Sequence, residues 1–306
     1  MPGERVLLIV NVHARQGDAQ RAAARDLLEA RGFAVLDRSA AEARDIPDLI
    51  RRHAGAVDLI VLGGGDGTLN RAVEAVLESG LPLGILPMGT ANDLARTLGL
   101  PAALDAACDV IAGACQRRID LGRVNGKYFF NVASMGMSVE IARSLTKDMK
   151  RRWGVLGYCV AALERYRAAR PFRAEIEADG RHVSVRSVQL AVGNGRFYGG
   201  GMTVAEDAAI DDGLLDLYSL EPGSFVRLLA MLPAFRAGRH RGVKEIHDLR
   251  ARHIAVRTSR PLPINTDGEL TTETPARFEV APRILSVFVP GAVQTPGLKE
   301  ARNDAA

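Results

Sequence analysis

Gly63-Gly64-Gly65-Asp66-Gly67-Thr68 joins two stretches whose apolar residues follow different rhythms. Before it stands Val57-Asp58-Leu59-Ile60-Val61-Leu62, with the length and β-branched content of a buried strand. After it, Leu69, Val73, Val76 and Leu77 recur at helical spacing. The glycines therefore form a turn from the end of a strand into the start of a helix. They let backbone N–H groups approach a ligand, and the partial positive charge of a helix N-terminus favours an anion such as phosphate. Asp66 is out of place there, since a carboxylate repels phosphate unless a divalent cation stands between them. A polyphosphate site that uses magnesium is one reading. A tight turn whose Asp caps the next helix is the other. The stretch lacks the Gly-Lys-Ser/Thr of a Walker A loop, and Thr68 occupies the last glycine position of a dinucleotide fingerprint.

The alternation of strand and helix extends to either side. Val6 to Val10 reads as a strand, and Asp18 caps a helix that stops at Gly32. Phe33 to Leu36 is a second strand, followed by a helix through Ile46, Leu49 and Ile50 to Gly55. Leu83 to Leu86 is a fourth strand, with a short helix through Leu94 and Leu98 to Gly99. Repeated units of this kind predict a parallel sheet covered on both faces. Ligands of such sheets bind beyond the carboxyl ends of the strands, so the loops at Asn11, Gly63 and Pro87 can converge on one ligand. Gly89-Thr90-Ala91-Asn92-Asp93 is a second polar turn on that edge, either a helix cap or another wall of the same site.

From about Asp120 the pattern changes. Asn125-Gly126 is the strongest short hairpin signal in the chain. Tyr128 to Ala133, Ala174 to Ala178, Val183 to Val192, Leu214 to Leu220, His253 to Thr258 and Ala276 to Val280 read as strands. Two helical segments, Trp153 to Ala169 and Ser224 to Phe235, interrupt them. The expectation is an α/β domain over 1–122 and an antiparallel β-sandwich or barrel over 123–289. Residues 290–306 are expected to pack back near the first domain, with Ile284 to Val289 ordered at the junction.

Composition narrows the function classes. The chain has 306 residues, enough for two domains with ample cores. Lys plus Arg number 40 against 36 acidic residues, a balance too mild to demand nucleic acid. The three cysteines form no Cys-x-x-Cys pair, which argues against a disulfide framework or zinc site. There is no His-Glu-x-x-His and no Gly-x-Ser-x-Gly, which disfavours hydrolase chemistry. The first apolar run is too short for a signal segment or membrane span, so a cytoplasmic protein is expected.

Other stretches carry two readings each. Asn265-Thr266-Asp267-Gly268-Glu269 is a hairpin turn, or else it sets two carboxylates on a cleft where one takes a proton from a hydroxyl. Ala208 to Leu214 is a turn before a strand, or a site where Asp212 and carbonyl oxygens bind a hard cation. Asn194 to Gly201 lines the cleft or is simply a loop. Lys147 to Trp153, and the apolar residues from Phe225 with basic residues to Lys244, suit packed helices with solvated flanks or a membrane surface.

Gly64-Gly65-Asp66-Gly67-Thr68-Leu69-Asn70, Gly89-Thr90-Ala91-Asn92-Asp93-Leu94-Ala95-Arg96, Tyr198-Gly199-Gly200-Gly201, Asp211-Asp212-Gly213-Leu214-Leu215-Asp216 and Asp267-Gly268-Glu269 occur in an order that resembles the diacylglycerol-kinase catalytic family. The likeness is greatest to its soluble bacterial lipid kinases of the YegS and DgkB type, and it spans nearly the whole chain. It implies an α/β nucleotide domain similar to phosphofructokinase and NAD kinase, a β-sandwich second domain, and ATP between them. By position it makes Asn11, Gly64, Gly65, Asp66, Gly67, Thr68, Leu69, Asn70 and Thr90 nucleotide-binding, with Ser39 if Arg38-Ser39 replaces a Thr-Thr pair. Glu269 becomes the proton acceptor, with Asp267 beside it on magnesium or substrate, and Asp66 helps hold Mg²⁺. Asp212, with carbonyls of Ala209 and Leu214, becomes a structural magnesium site. The chain departs from the family pattern at Val12, Ala14, Arg71, Ser138 and Glu206; Arg71 stands where Glu is common. The function implied is ATP- and Mg²⁺-dependent phosphorylation of a lipid hydroxyl, on diacylglycerol, phosphatidylglycerol or a similar lipid. Such a protein meets its substrate peripherally at the inner membrane surface, binds no nucleic acid and is compatible with a homodimer. The alternatives are a kinase of a soluble substrate such as NAD, or a nucleotide-sensing module without turnover.

Overall fold

The computed structural model describes residues 3–11, 17–40, 43–137, 170–195, 197–198, 202–203, 209–222 and 246–291. The first third alternates strand and helix: β1 (Arg5–Asn11), α1 (Gly17–Ala30), β2 (Ala34–Ala40), α2 (Ile46–His53), β3 (Leu59–Gly64), α3 (Asp66–Ser79), β4 (Leu83–Pro87), α4 (Asp93–Thr97) and α5 (Leu104–Ala112). The strands pair in parallel in the order β2-β1-β3-β4, so β1 and β3 lie inside the sheet and carry continuous apolar runs. Leu7 and Ile9 of β1 join a core with Ile50, Val73 and Val76, from α2 and α3. Val6, Leu8 and Val10 point the other way, into a core with Ala24, Leu28 and Ile111, from α1 and α5. Each such side chain contributes about 1.5–3 kcal/mol when fully buried. α3 ends at Gly80, whose φ of 67° is left-handed and whose N–H bonds the Leu77 carbonyl.

The remainder is antiparallel: β5 (Gln116–Val124), β6 (Lys127–Phe129), β7 (Val132–Gly136), β8 (Phe172–Ala178), β9 (Arg181–Ser187), β10 (Gln189–Gly193), β11 (Phe197–Tyr198), β12 (Met202–Thr203), β13 (Leu215–Leu220), β14 (Ile246–Ala251), β15 (His253–Thr258), β16 (Pro263–Thr266), β17 (Glu269–Glu273) and β18 (Ala276–Phe288). One sheet runs β14-β13-β10-β7-β16-β17. It faces β18-β15-β8-β9, and the layer between them holds Met135, Leu190, Leu217 and Ile264 from one side and Ile176, Val256 and Phe278 from the other. An α/β domain and an antiparallel sandwich are thus the two parts of the fold.

β18 joins them. Its first half pairs with β15, β5 pairs with it on both sides of a bend, and Val287 lies beside Leu83 of the parallel strand β4. The register shifts between Ala281 and Leu285, where Arg283 adopts a φ of 49°. A single ten-stranded sheet therefore runs through both parts.

Several expected boundaries move. Val183 to Val192 is two strands in different sheets, because the chain crosses between layers at the buried Ser187, whose hydroxyl bonds the Gln189 and Leu220 carbonyls. Tyr128 to Ala133 divides in the same way between β6 and β7. β5 gave no sequence signal, since its opening Gln116-Arg117-Arg118 is exposed and polar. The Asn125-Gly126 turn links β5 to β6 with both residues at positive φ. The expected helices 153–169 and 224–235, the two basic stretches, Ser138, Glu206, Gly199–Gly201, Val12, Ala14 and the tail from 292 lie outside the described residues. No helix among the described residues is long and apolar enough to cross a membrane.

Candidate active site

The carboxyl ends of β1, β3 and β4 meet at the two glycine turns. At Gly65 and Gly89 backbone presses on backbone. A Cβ on Gly65 would stand 3.1 Å from the Gly89 Cα, and one on Gly89 would run into the Gly65 Cα and stand 2.7 Å from Asn92 Oδ1. Asn92 closes the second turn on itself. Its amide accepts the Gly89 N–H at 2.9 Å and donates to the Gly89 carbonyl at 2.9 Å, from a left-handed conformation that Asn tolerates. The Met88 N–H reaches the Gly64 carbonyl at 3.0 Å, which fastens one turn to the other.

Asp66 completes the join. Its two carboxylate oxygens accept the N–H groups of Asp93 at 3.1 Å and Leu94 at 3.0 Å, the first residues of α4. The carboxylate therefore caps a helix, though α4 and not the α3 that the capping reading expected. Each oxygen can accept a second bond, so a hard cation still fits. At the first turn of α3 the helix offers the Asp66 and Gly67 amides no acceptor, and that turn suits an anion.

The other expected nucleotide residues divide by geometry. Asn11 donates to Thr68 Oγ1 at 3.2 Å, and Thr68 is 6% exposed, so its hydroxyl shores up the turn from inside. A Cβ on Gly64 would stand 2.5 Å from the same hydroxyl, which explains that glycine. The Leu69 side chain lies in the core, which leaves its backbone near the turn. Asn70 donates to the Thr266 carbonyl at 3.3 Å, while its Oδ1 is buried with no partner, an oxygen that a bound cation or donor would satisfy. Thr90 is exposed in the second turn. Ser39 is exposed at the carboxyl end of β2, in register with Val10, one strand from Asn11. Phe197–Tyr198 lies against α4 beside this edge.

The sandwich supplies the opposite wall. Asp267 and Gly268, at φ 48° and 101°, form the hairpin turn between β16 and β17. The Asp267 carboxylate, expected on magnesium or substrate, is engaged by the backbone of its own domain. It accepts three backbone N–H groups, from Phe130 at 2.6 Å and from Asn131 and Val132 at 3.0 Å, which anchors the hairpin to the start of β7. Burial pushes this carboxyl up to about 6, against the pull of those amides and with some help from the nearby Asp66 charge. Glu269 is left to face the first domain. Its Oε1 stands 4.0 Å from where a Cβ on Gly67 would be, and the Arg71 Nε and Nη2 both reach that oxygen at 2.6 Å. The Arg71 contact carries no sequence signal, because its two members lie 198 positions apart.

α3 is the seam of the cleft, touching the second domain through Asn70–Thr266, Arg71–Glu269 and a Lys127–Glu74 ion pair of 3.2 Å. An open groove on the outer face of β8, β15 and β18, lined by Glu177, His253, Arg257 and Arg277, shares no residue with it.

The Asp212 turn lies apart, on β5. Asp120 of that strand holds the Gly213 N–H at 2.7 Å and the Arg283 N–H at 2.6 Å, at the bend of β18. Asp212 accepts the Leu214 N–H at 3.0 Å, its own N–H points to the Ala209 carbonyl at 3.4 Å, and Arg250 stands 3.8 Å from its carboxylate. Burial raises the Asp212 carboxyl above its usual range. The turn closes with bonds of its own, and among the described residues no three His, Cys, Asp or Glu side chains cluster as a metal site.

Comparison with known proteins agrees with the two-part fold. The diacylglycerol kinase catalytic domain profile matches residues 5–124, and the YegS C-terminal NAD kinase beta sandwich-like domain profile matches 131–289. The chain is 32% identical to the diacylglycerol kinase of Bacillus subtilis (strain 168), over 76% of its own length and 78% of the relative's. It is 33% identical to a Pseudomonas fluorescens protein named "Probable lipid kinase YegS-like", over 95% and 97%. The crystal structure of a Bacillus anthracis str. Sterne protein proposed to be a diacylglycerol kinase superposes with TM-score 0.79 at 27% identity, over 95% of this chain and 99% of that one.

Proposed function

Because this chain belongs to the diacylglycerol kinase and YegS-like family of lipid kinases, we propose that it transfers the γ-phosphoryl group of ATP, with Mg²⁺, to a hydroxyl of a lipid. One observation carries the reading: a carboxylate of the sandwich, Glu269, stands against Gly67 at the first turn of α3. The α3 N-terminus receives the phosphates, and the Gly65–Gly89 contact keeps both turns open to them. Glu269 accepts the proton of the attacking hydroxyl as the oxygen bonds phosphorus and the bond to ADP breaks. Asp66 would hold Mg²⁺, which neutralises charge on the phosphates. The lipid would be presented by a membrane at the cytoplasmic face, with the basic stretches 147–153 and 225–244 as the contact.

Radiolabelled ATP with Mg²⁺ and a panel of dispersed lipids, with NAD as the soluble alternative, tests this. Removing Glu269 as alanine is expected to slow transfer by about 10²–10⁴-fold while ATP still binds. Asp66→Ala is expected to lose both. Full activity in Glu269→Ala would remove it as the base, and phosphorylation of NAD but no lipid would replace the substrate class. ATP binding without any transfer would favour a silent module. Circular dichroism verifies that both variants are folded.

A further inference from the structure

We propose that Arg71 is a positioning residue that neutralises Glu269 beside the phosphate turn, so that a nucleoside triphosphate can bind there, and fixes which Glu269 oxygen takes the proton. The inference rests on the kinase reading and deepens it. Glu269 stands where it can serve as base, but an uncompensated carboxylate at Gly67 would repel the phosphates that the turn attracts. Asp66 is matched to two amides of α4, and Asp267 to three amides of the sandwich. Among the described residues Glu269 has no such amides. Its match is Arg71, on the exposed face of α3 one turn beyond Gly67.

The geometry is one-sided. Nε and Nη2 of Arg71 both converge on Oε1, which leaves Oε2 without a partner among the described residues. Oε1 is thereby committed, and Oε2 is the oxygen free to accept a proton. With side chains 43% and 32% exposed, the pair has little to offer as a stabilising contact, so its worth lies in the field and orientation it sets. The neighbouring Lys127–Glu74 pair also bridges α3 to the sandwich and is more exposed, which makes it the structural control.

Equilibrium ATP binding with Mg²⁺, measured calorimetrically, and lipid phosphorylation are compared across wild type, Arg71→Met, Arg71→Lys, Glu269→Gln, the Arg71→Met/Glu269→Gln double variant and Lys127→Met. Arg71→Met is expected to weaken ATP binding about tenfold or more. The double variant is expected to bind within about threefold of wild type, because the repelling charge is gone with its match. Arg71→Lys keeps the charge and so the affinity, but loses the two-nitrogen grip and so lowers kcat. Lys127→Met changes neither. Arg71→Met binding ATP like wild type would overturn the inference. So would a double variant as weak as Arg71→Met, since Arg71 would then touch phosphate directly. The binding series decides this even if wild type binds ATP and phosphorylates no lipid, an outcome that would overturn the lipid-kinase reading alone. Wild type that binds no ATP would overturn both.

Discussion

At the scale of single residues, the site depends on what Gly89 lacks. Its missing Cβ lets the second turn lie on Gly65, and the opposing atom is backbone, which cannot swing aside. Gly89→Ala is therefore expected to cost about 1–3 kcal/mol and to lose ATP binding more than tenfold. Gly80→Ala is the contrast. Its φ of 67° makes alanine strained by about 1 kcal/mol, but open space surrounds it and ATP binding should be unchanged. Thermal melts and ATP titrations read both; a Gly89→Ala protein with normal affinity would mean that the contact does not shape the site. Asp66 was legible as an anomaly in its turn, but not its solution. Its partners are amides 27 and 28 positions away, whose availability depends on where α4 begins.

At the scale of elements, the hairpin of β16 and β17 carries two carboxylates with opposite duties. Asp267 is enclosed and ties the turn to β7, and that tie aims Glu269 at α3. The carboxyl of Asp267 lies above its ordinary 3.8, at about 6, so the folded protein keeps that proton to higher pH than the unfolded chain does. Its contribution to stability is full below about 3.8 and is lost as pH rises through about 6. Urea unfolding of wild type against Asp267→Asn should show the wild-type advantage shrinking across that interval and level above it. Parallel curves would show that Asp267 does not titrate there. The Asp-Gly pair announced the turn in sequence because both positive φ values suit those residues locally. That one carboxylate turns inward was not legible, since it depends on amides more than a hundred positions earlier.

At the scale of the whole molecule, β18 makes two domains one sheet. Phe288, 1% exposed, lies in the core under β1 and β3, although it ends the last described strand of the sandwich. Phe288→Ala should destabilise the protein by about 3–5 kcal/mol in urea. Ile284, 37% exposed on the same strand, should change it by less than about 0.5 kcal/mol as alanine. Equal effects would contradict the division of this strand between an open bend and a closed core. The first domain thus depends on residues near the end of the chain.

Read alone, the chain settles what neighbouring residues decide among themselves. The strand–helix alternation, the glycine turns after β3 and β4, and the Asn125-Gly126 and Asp267-Gly268 turns all follow from apolar period and backbone freedom within a few positions. The split of Val183 to Val192 and the strand β5 escaped it, because layer changes and polar strand starts carry no periodic signal. Tertiary structure alone decided which charge meets which: Asp66 with the α4 amides, Asp267 with β7, and Arg71 with Glu269. A carboxylate is the same group in each place. Whether it caps, braces or stands ready for a proton depends on the donors that folding brings beside it, and those come from distant parts of the chain.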